Sequence, residues 1–234
     1  MIAIFDLDET LIHGDCTSLW GEWLCEQGYV NDIPAYMAQS NALTQAYEAQ
    51  TLNQQECVDL IFAPIKHLPA LEVDLLTRHF VTERIMPIVY REGLTKLDRY
   101  QAKGIETIII SASPNLLVKP IAELCFNVQA AFGIDVEIHE GFYTGKIMGT
   151  IPYQAGKITV CEQYIAHKLQ KMGAESHRAA IDAVLDNSYF YSDSINDLPL
   201  LSKVRYPNTV NPDSSLYHVA STKEWPIFRF AKVA

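Results

Sequence analysis

The chain has 234 residues, 49% of them hydrophobic and 20% charged, a composition that supports a full core and excludes intrinsic disorder. Eighteen basic against 28 acidic residues leave a net charge of −10. That balance argues against nucleic acid or an anionic membrane as the main partner, and leaves room for a small anionic ligand held by local donors and a metal.

Ile2-Ala3-Ile4 is short, apolar and Ile-rich, the pattern of a buried parallel strand. Phe5-Asp6-Leu7-Asp8-Glu9-Thr10 follows directly. Side chains two apart on an extended chain point the same way, so Asp6 and Asp8 converge where the strand ends. Two adjacent anions need a cation or a shared proton; as solvated acids on an edge strand they would need neither. Gly14 ends this unit. Helical periodicity then covers 17–27, 34–50, 53–65 and 69–85, with no strand signal between. This block predicts a helical cap over residues 14–87, inserted into a core domain of 1–13 and 88–234. No Lys or Arg precedes Lys66, while Asp15, Glu22, Glu26, Asp32, Glu48, Glu56 and Asp59 share the span with Trp20, Trp23, Tyr29, Tyr36 and Tyr47. It is either a solvated acidic face over an aromatic core or, in part, a receiver for a cationic group.

Beyond the block, the pattern alternates. A helix over 92–103 precedes a buried strand over 106–110, which ends in Ser111-Ala112-Ser113-Pro114. A helix over 115–124, a strand over 126–132 and a hairpin over 137–148 come next. Gly156-Lys157 opens a helix to about 171, and Ser176 another to about 185. The strand 189–191 runs into Ser192-Asp193-Ser194-Ile195-Asn196-Asp197, and a short helix and a last strand near 204–206 close the pattern. The fold class is therefore α/β, a doubly wound, mostly parallel sheet with an inserted helical bundle. In such sheets ligands bind beyond the C-terminal strand ends, where Asp6, Asp8, Ser111 and Asp193 all fall. Lys157 stands in the first turn of a helix, where a cation opposes the macrodipole, so an anion nearby would help. Ser194-x-x-Asp197 also fits a plain capping box.

A DxDxT after the first strand, a Ser after a second, a Lys at a helix start and SDSxxD after a further strand, in that order, resemble the haloacid dehalogenase superfamily. The helical block after the first motif is similar to its phosphoserine-phosphatase-like branch, with a Rossmann-like core and a bundle cap. The resemblance implies an Mg²⁺-dependent phosphatase. Asp6 would be the nucleophile and Asp8 the general acid and base. Asp6, Asp193 and the Asp8 carbonyl would ligate Mg²⁺. Ser111, Ala112, Ser113 and Lys157 would meet the phosphoryl group, and Asn196 and Asp197 would brace the metal or Lys157. Asp15 falls where phosphoserine phosphatases hold the substrate amine. The cap arginine those enzymes use for the substrate carboxylate has no counterpart in 53–65, which favours an amine-bearing ester such as histidinol phosphate, phosphoethanolamine or phosphocholine. Lys66, Arg78 or Arg84 are the substitutes that would restore phosphoserine. Phosphotransfer to an alcohol is the enzymatic rival, and a non-catalytic phosphometabolite-binding protein the rival of another class. No obligate protein partner is implied. Five scattered cysteines read as reduced thiols of a cytoplasmic protein. The absence of a basic leader and of any apolar run of about 18 residues predicts neither secretion nor membrane spanning.

Overall fold

The computed structural model describes residues 1–173 and 177–232. Its first half runs β1 (Ile2–Phe5), α1 (Cys16–Glu26), α2 (Ile33–Glu48), α3 (Gln54–Phe62), α4 (Ala70–Phe80), α5 (Arg91–Ala102), β2 (Glu106–Pro114) and α6 (Asn115–Cys125). The second half runs β3 (Ala130–His139), β4 (Phe142–Met148), α7 (Gly156–Lys171), α8 (Arg178–Asp186), β5 (Tyr189–Ser192), α9 (Leu198–Lys203), β6 (Tyr206–Val210), α10 (Ser214–Thr222) and β7 (Ile227–Phe228).

The strands form one sheet in the order β4-β3-β2-β1-β5-β6-β7, with β1 at its centre. Every pairing is parallel except β3 with β4. Alternation on β1 sends Ile2 and Ile4 to one face, against Val160, Cys161 and Leu200, and Ala3 and Phe5 to the other, against Leu97, Leu117 and Ile121. Both faces are covered, which is why β1 carries four buried residues and no polar alternation. β2 and β5 leave β1 on opposite sides. The loops at the C-terminal ends of β1, β2 and β5 therefore open on one crevice.

Three helices of the insertion, α1, α3 and α4, share the second of these cores, and α2 buries Tyr36 against Gly21 of α1. Trp20 stacks on Trp23 at 5.4 Å and meets Phe80 edge-on at 5.2 Å, and this aromatic group is continuous with Leu7, Leu11 and Phe5 beneath it. Asp32 caps α2 by accepting from Ala35 N, with Pro34 in the first turn, and Asn53 caps α3 through Gln55 N.

Several expectations need adjustment. The helix expected over 69–85 stops at Phe80; a π-helical turn, Val81–Ile85, and a 3-10 turn, Met86–Ile88, follow it. Pro87 supplies no N–H to bond back to Glu83 O, so the α ladder cannot run on. β2 extends through Ser111 to Pro114 instead of ending at Ile110. β3 starts at Ala130, not 126, because Phe126 N still donates to Ala122 O at the end of α6. Gly133 lets β3 pass: a Cβ there would lie 2.4 Å from Ser113 O. The expected last strand is followed by α10 and β7. Ser176, the expected start of α8, lies outside the described residues; Arg178 is the first helical residue after it. Among the described residues no helix is long and apolar enough to cross a membrane, and all five cysteines are free.

Candidate active site

β1 delivers Asp6 to the sheet end, 5% exposed, with Asp6 N donating to Tyr191 O of β5 at 2.9 Å. The turn that follows folds back on Leu7 O, which accepts from Thr10, Leu11 and Ile12 N. This bend carries Asp8 toward α1 and Thr10 toward the loop after β5. Thr10 Oγ1 donates to Asp193 Oδ1 at 3.1 Å.

Lys157 is the centre of charge. Its Nζ is 2.7 Å from Asp6 Oδ1 and 2.7 Å from Asp197 Oδ2, and the side chain is buried. Burial works to lower its pKa, but Asp197 and Asp6 outweigh that and raise it. The anions that the macrodipole argument called for are these two. Gly156 makes the placement possible: a Cβ would sit 1.9 Å from Ile151 O, so only glycine lets α7 start against that strand exit. Ser192 Oγ also donates to Asp197 Oδ2, at 2.7 Å. Asp197 thus serves Lys157 rather than closing a capping box, although Ser194 Oγ does accept from Asn196 N at 3.2 Å.

Asp8 is held by three donors. Cys16 N reaches Oδ1 at 2.7 Å, and Ser113 Oγ and Ser111 Oγ reach Oδ2 at 2.8 and 3.2 Å. Burial, then the nearby charge of Asp15, push its pKa up to about 6. Asp6 is raised to about 7, by burial first, with Lys157 opposing and Asp197 and Asp8 adding. Asp193 is raised well above the usual carboxylate range by burial, Asp6 and Asp197.

A cavity of about 610 Å³ opens above these groups. Asp6, Asp8, Asp193, Ala112 and Ser113 line its floor, and Asp15, Tyr36, Tyr47, Glu48 and Gln54 reach it from the insertion. No Lys or Arg lines it among the described residues. Arg78 pairs with Asp74 and Glu123, and Arg84 with Glu26, so neither turns inward. Ser111 and Lys157 lie beneath the lining, fully buried.

Two candidates have partners of their own. Asp15 is the N-cap of α1: its Oδ1 accepts from Thr17 N at 2.7 Å and Ser18 N at 3.1 Å. It also lines the cavity, and a carboxylate oxygen lies within 4.8 Å of ligand atoms of Asp8 and Cys16. Asn196 makes no hydrogen bond to Lys157, which leaves the surroundings of the metal as its expected place. Its Oδ1 accepts from Tyr153 Oη and Gln154 Nε2, and its Nδ2 donates to Tyr47 O at 3.1 Å. Tyr47 Oη donates in turn to Ser194 Oγ at 3.2 Å. Tyr47 lies about 150 positions from its partners, and no local spacing announces such a contact. Thr10 stood in the quoted motif without a role, and the Cys16 N–H carries no side-chain signal at all.

The family model of the haloacid dehalogenase-like hydrolases matches residues 3–202, and the chain belongs to that family. It is 33% identical to a histidinol-phosphatase of Neisseria meningitidis serogroup C, over 98% of each chain. A solved protein of unknown function from Bordetella pertussis Tohama I is 27% identical, with a TM-score of 0.84 over 97% of each chain. A substrate-bound phosphoserine phosphatase complex shares the fold at a TM-score of 0.64 and 14% identity, covering 97% of this chain and 91% of its own. The expected α/β fold of the phosphoserine-phosphatase-like branch is thereby met.

Proposed function

We propose that this hydrolase is an Mg²⁺-dependent phosphomonoesterase acting on a small amine-bearing ester, histidinol phosphate first among them. The observation that carries the reading is the pairing of the Asp6–Lys157–Asp197 constellation with a cavity whose charged lining is acidic. The 33% identical relative named for histidinol phosphate supports the choice within that class. Phosphoserine would bring a carboxylate among Asp15 and Glu48 with no lining cation to meet it.

In this reading an Asp6 oxygen attacks phosphorus in line with the ester oxygen, and the P–O ester bond breaks. The proton on Asp8, whose pKa of about 6 keeps part of it protonated near neutrality, passes to the departing alkoxide. Asp8, now a carboxylate, takes a proton from water as that water attacks the aspartyl-phosphate. Phosphate leaves and Asp6 is restored. Lys157 keeps Asp6 oriented and offsets the charge beside it. Ser111 and Ser113 hold the Asp8 carboxyl, and Ala112 and Ser113 form the floor beneath the phosphoryl group.

The donors suit Mg²⁺. Of three buried or half-buried carboxylates, Asp6, Asp193 and Asp197, the lysine pairs with the first and the last, and burial, then the like charges, raise Asp193. An oxygen-only set with uncompensated negative charge fits a hard dication, held by Asp6, Asp193 and the Asp8 carbonyl. The cluster of Asp8, Asp15 and Cys16 fits less well, because burial keeps the Cys16 thiol protonated. Held by Asp6, Asp193 and the Asp8 carbonyl, Mg²⁺ would draw charge from the phosphoryl oxygens. Residues 14–87 form the cap domain in this account, with 1–13 and 88–234 as the core. Phosphate release from a panel of histidinol phosphate, phosphoethanolamine, phosphocholine and phosphoserine, with Mg²⁺ and with EDTA, tests the reading. Turnover unaffected by EDTA, or fastest on phosphoserine, would overturn it.

A further inference from the structure

α7 opens on unfavourable terms. No side chain caps it, and Lys157 puts a cation in its first turn, against the macrodipole. The turn before it is tight: Tyr153 N donates to Ile151 O at 2.9 Å, Gly156 N to Tyr153 O at 2.9 Å and Lys157 N to Gln154 O at 3.2 Å. Gln154 stands in the left-handed region, with a φ of 50°, where a residue that carries a Cβ is strained. Such strain persists only where the surroundings over-determine it. Here the anchor is Asn196, in the loop after β5. Gln154 Nε2 donates to Asn196 Oδ1 at 3.2 Å, and Tyr153 Oη donates to the same oxygen at 3.0 Å. Asn196 is 2% exposed, and its Nδ2 donates to Tyr47 O at 3.1 Å and Ser194 Oγ at 3.4 Å. A primary amide has two N–H donors and an oxygen that accepts two bonds, so all four are used. Tyr47 O can only accept, which turns Nδ2 toward it and Oδ1 toward Gln154. Gln154 must therefore present a donor.

We infer that Gln154 is a positioning residue for Lys157. Its carbonyl takes the Lys157 N–H, and its amide is tied to Asn196. One residue thus sets the lysine's backbone against the loop that carries Asp197. Lys157 Nζ then spans Asp6 and Asp197, at 2.7 Å from each. The lysine stem is long and flexible, and it keeps two short bonds at once only when its backbone is placed to match. Lys157 lies beneath the cavity lining, and Gln154 does not line the cavity. Neither touches a leaving group, so the effect is common to every ester. Lys157 orients Asp6, and a misplaced lysine misplaces the attacking oxygen. The effect on rate rests on the phosphatase reading and deepens it; the placement of Lys157 does not depend on that reading.

Two substitutions separate the amide from the strain. Gln154→Met keeps the length and the left-handed turn and removes the donor. Gln154→Gly removes the donor and the strain together. In both, kcat should fall about two- to tenfold, the worth of one hydrogen bond, for amine-bearing and neutral esters alike and with KM hardly moved. Wild-type kcat in the methionine variant would overturn the assignment, and with a lowered Tm would mark a purely structural amide. A change confined to KM, or to one kind of ester, would overturn it too. NMR of the Mg²⁺-loaded protein reads the placement without turnover. The Lys157 ammonium, buried and doubly bonded, should give a slowly exchanging N–H signal, assigned by its absence from Lys157→Arg. In both Gln154 variants that signal should shift or broaden; an unmoved signal would overturn the placement. A moved signal, with no ester turned over by the wild type, defeats the phosphatase reading and keeps Gln154. Turnover with the signal and kcat both unmoved does the reverse.

Discussion

The sheet-end loops and the helical insertion face each other across one cavity, and they are built on different terms. Asp6, Thr10, Lys157, Ser192 and Asp197 are all at most 5% exposed and joined by charged or hydroxyl hydrogen bonds. Each side chain there has its geometry fixed by at least one other. The insertion is held by apolar packing around Trp20, Trp23 and Phe80, and offers the cavity a scatter of groups from separate helices, Asp15, Tyr36, Glu48 and Gln54 among them, with no hydrogen bond between these four. The first arrangement suits chemistry common to all monoesters, where misplacement is punished. The second suits choice between leaving groups, where residues can change one at a time. Substitutions on the floor should therefore lower turnover of every ester alike, and substitutions on the insertion should change ratios.

The largest effect is expected on the floor. Asp6→Asn should cut turnover of every ester by several orders of magnitude, since an amide does not attack phosphorus at a useful rate. Asn still accepts from Lys157 and removes one of the crowded charges, so the metal-free variant should melt no lower than the wild type. Near wild-type phosphate release from freshly prepared protein, checked for deamidation, would remove Asp6 from its role. Lys157→Met should also disable all esters, but with a fall in stability of about 3–5 kcal/mol, because Asp6 and Asp197 lose the cation between them. Denaturant unfolding reads the second effect independently of activity.

Asp15→Asn probes the other side of the cavity. Asn keeps the cap on α1, so Tm should hardly move. A charged hydrogen bond to a substrate ammonium is worth roughly 1.5–3 kcal/mol, so kcat/KM for amine-bearing esters should fall about tenfold to a hundredfold relative to neutral esters. Asp15 also raises the pKa of Asp8, but that change reaches all esters together and cancels in the ratio. An unmoved ratio would leave Asp15 as a helix cap alone.

Proton linkage offers a smaller, activity-free check on the floor. Metal-free Asp6 has a folded pKa of about 7 against about 3.9 for an unfolded carboxyl. Between those values the folded state holds a proton the unfolded chain has released, so stability of the EDTA-treated protein should fall as pH rises from about 4 to about 7. Added Mg²⁺ should restore more Tm at pH about 8 than at pH about 5. An equal gain at both would show that the ion does not replace the missing proton.

These experiments follow the line between what was legible in the sequence and what was not. Asp6, Asp8, Ser111, Asp193 and Asp197 were readable because strand ends in a parallel sheet deliver short motifs to one place, whatever the loops do between, and Lys157 because a cation opening a helix calls for anions nearby. The helices of the insertion were readable from their period. Their inward-facing residues were not. Tyr47 meets Ser194 and Asn196 only because α2 ends over the loop after β5, and Gln54 reaches the cavity only because α3 packs on β4. Asn196 is likewise held from across the cavity, through Tyr47 O, a contact that no spacing near Asn196 announces. The run from α10 to β7 went unread because β7 is two residues long, too short for a period.

Tyr47 tests whether the division itself is right, since it belongs to the insertion and bonds the floor. Its hydroxyl donates to Ser194 Oγ at 3.2 Å, and its carbonyl accepts from Asn196 Nδ2 at 3.1 Å. Both partners lie in the chain between Asp193 and Asp197. Tyr47→Phe removes the first bond and leaves the second, a loss of about 0.5–1.5 kcal/mol. If Tyr47 positions that loop, turnover should fall about two- to tenfold for amine and neutral esters alike, and the Mg²⁺ needed for half-maximal rate should rise. Pairing it with Asn196→Ala in a double-mutant cycle should give a coupling well above the few tenths of a kcal/mol of independent sites, because both changes loosen the same contact. A different outcome would matter more. Should Tyr47→Phe shift the ratio of amine to neutral esters as Asp15→Asn does, the hydroxyl would be reading the leaving group, and the boundary between common chemistry and choice would run through Ser194 and not along the cavity.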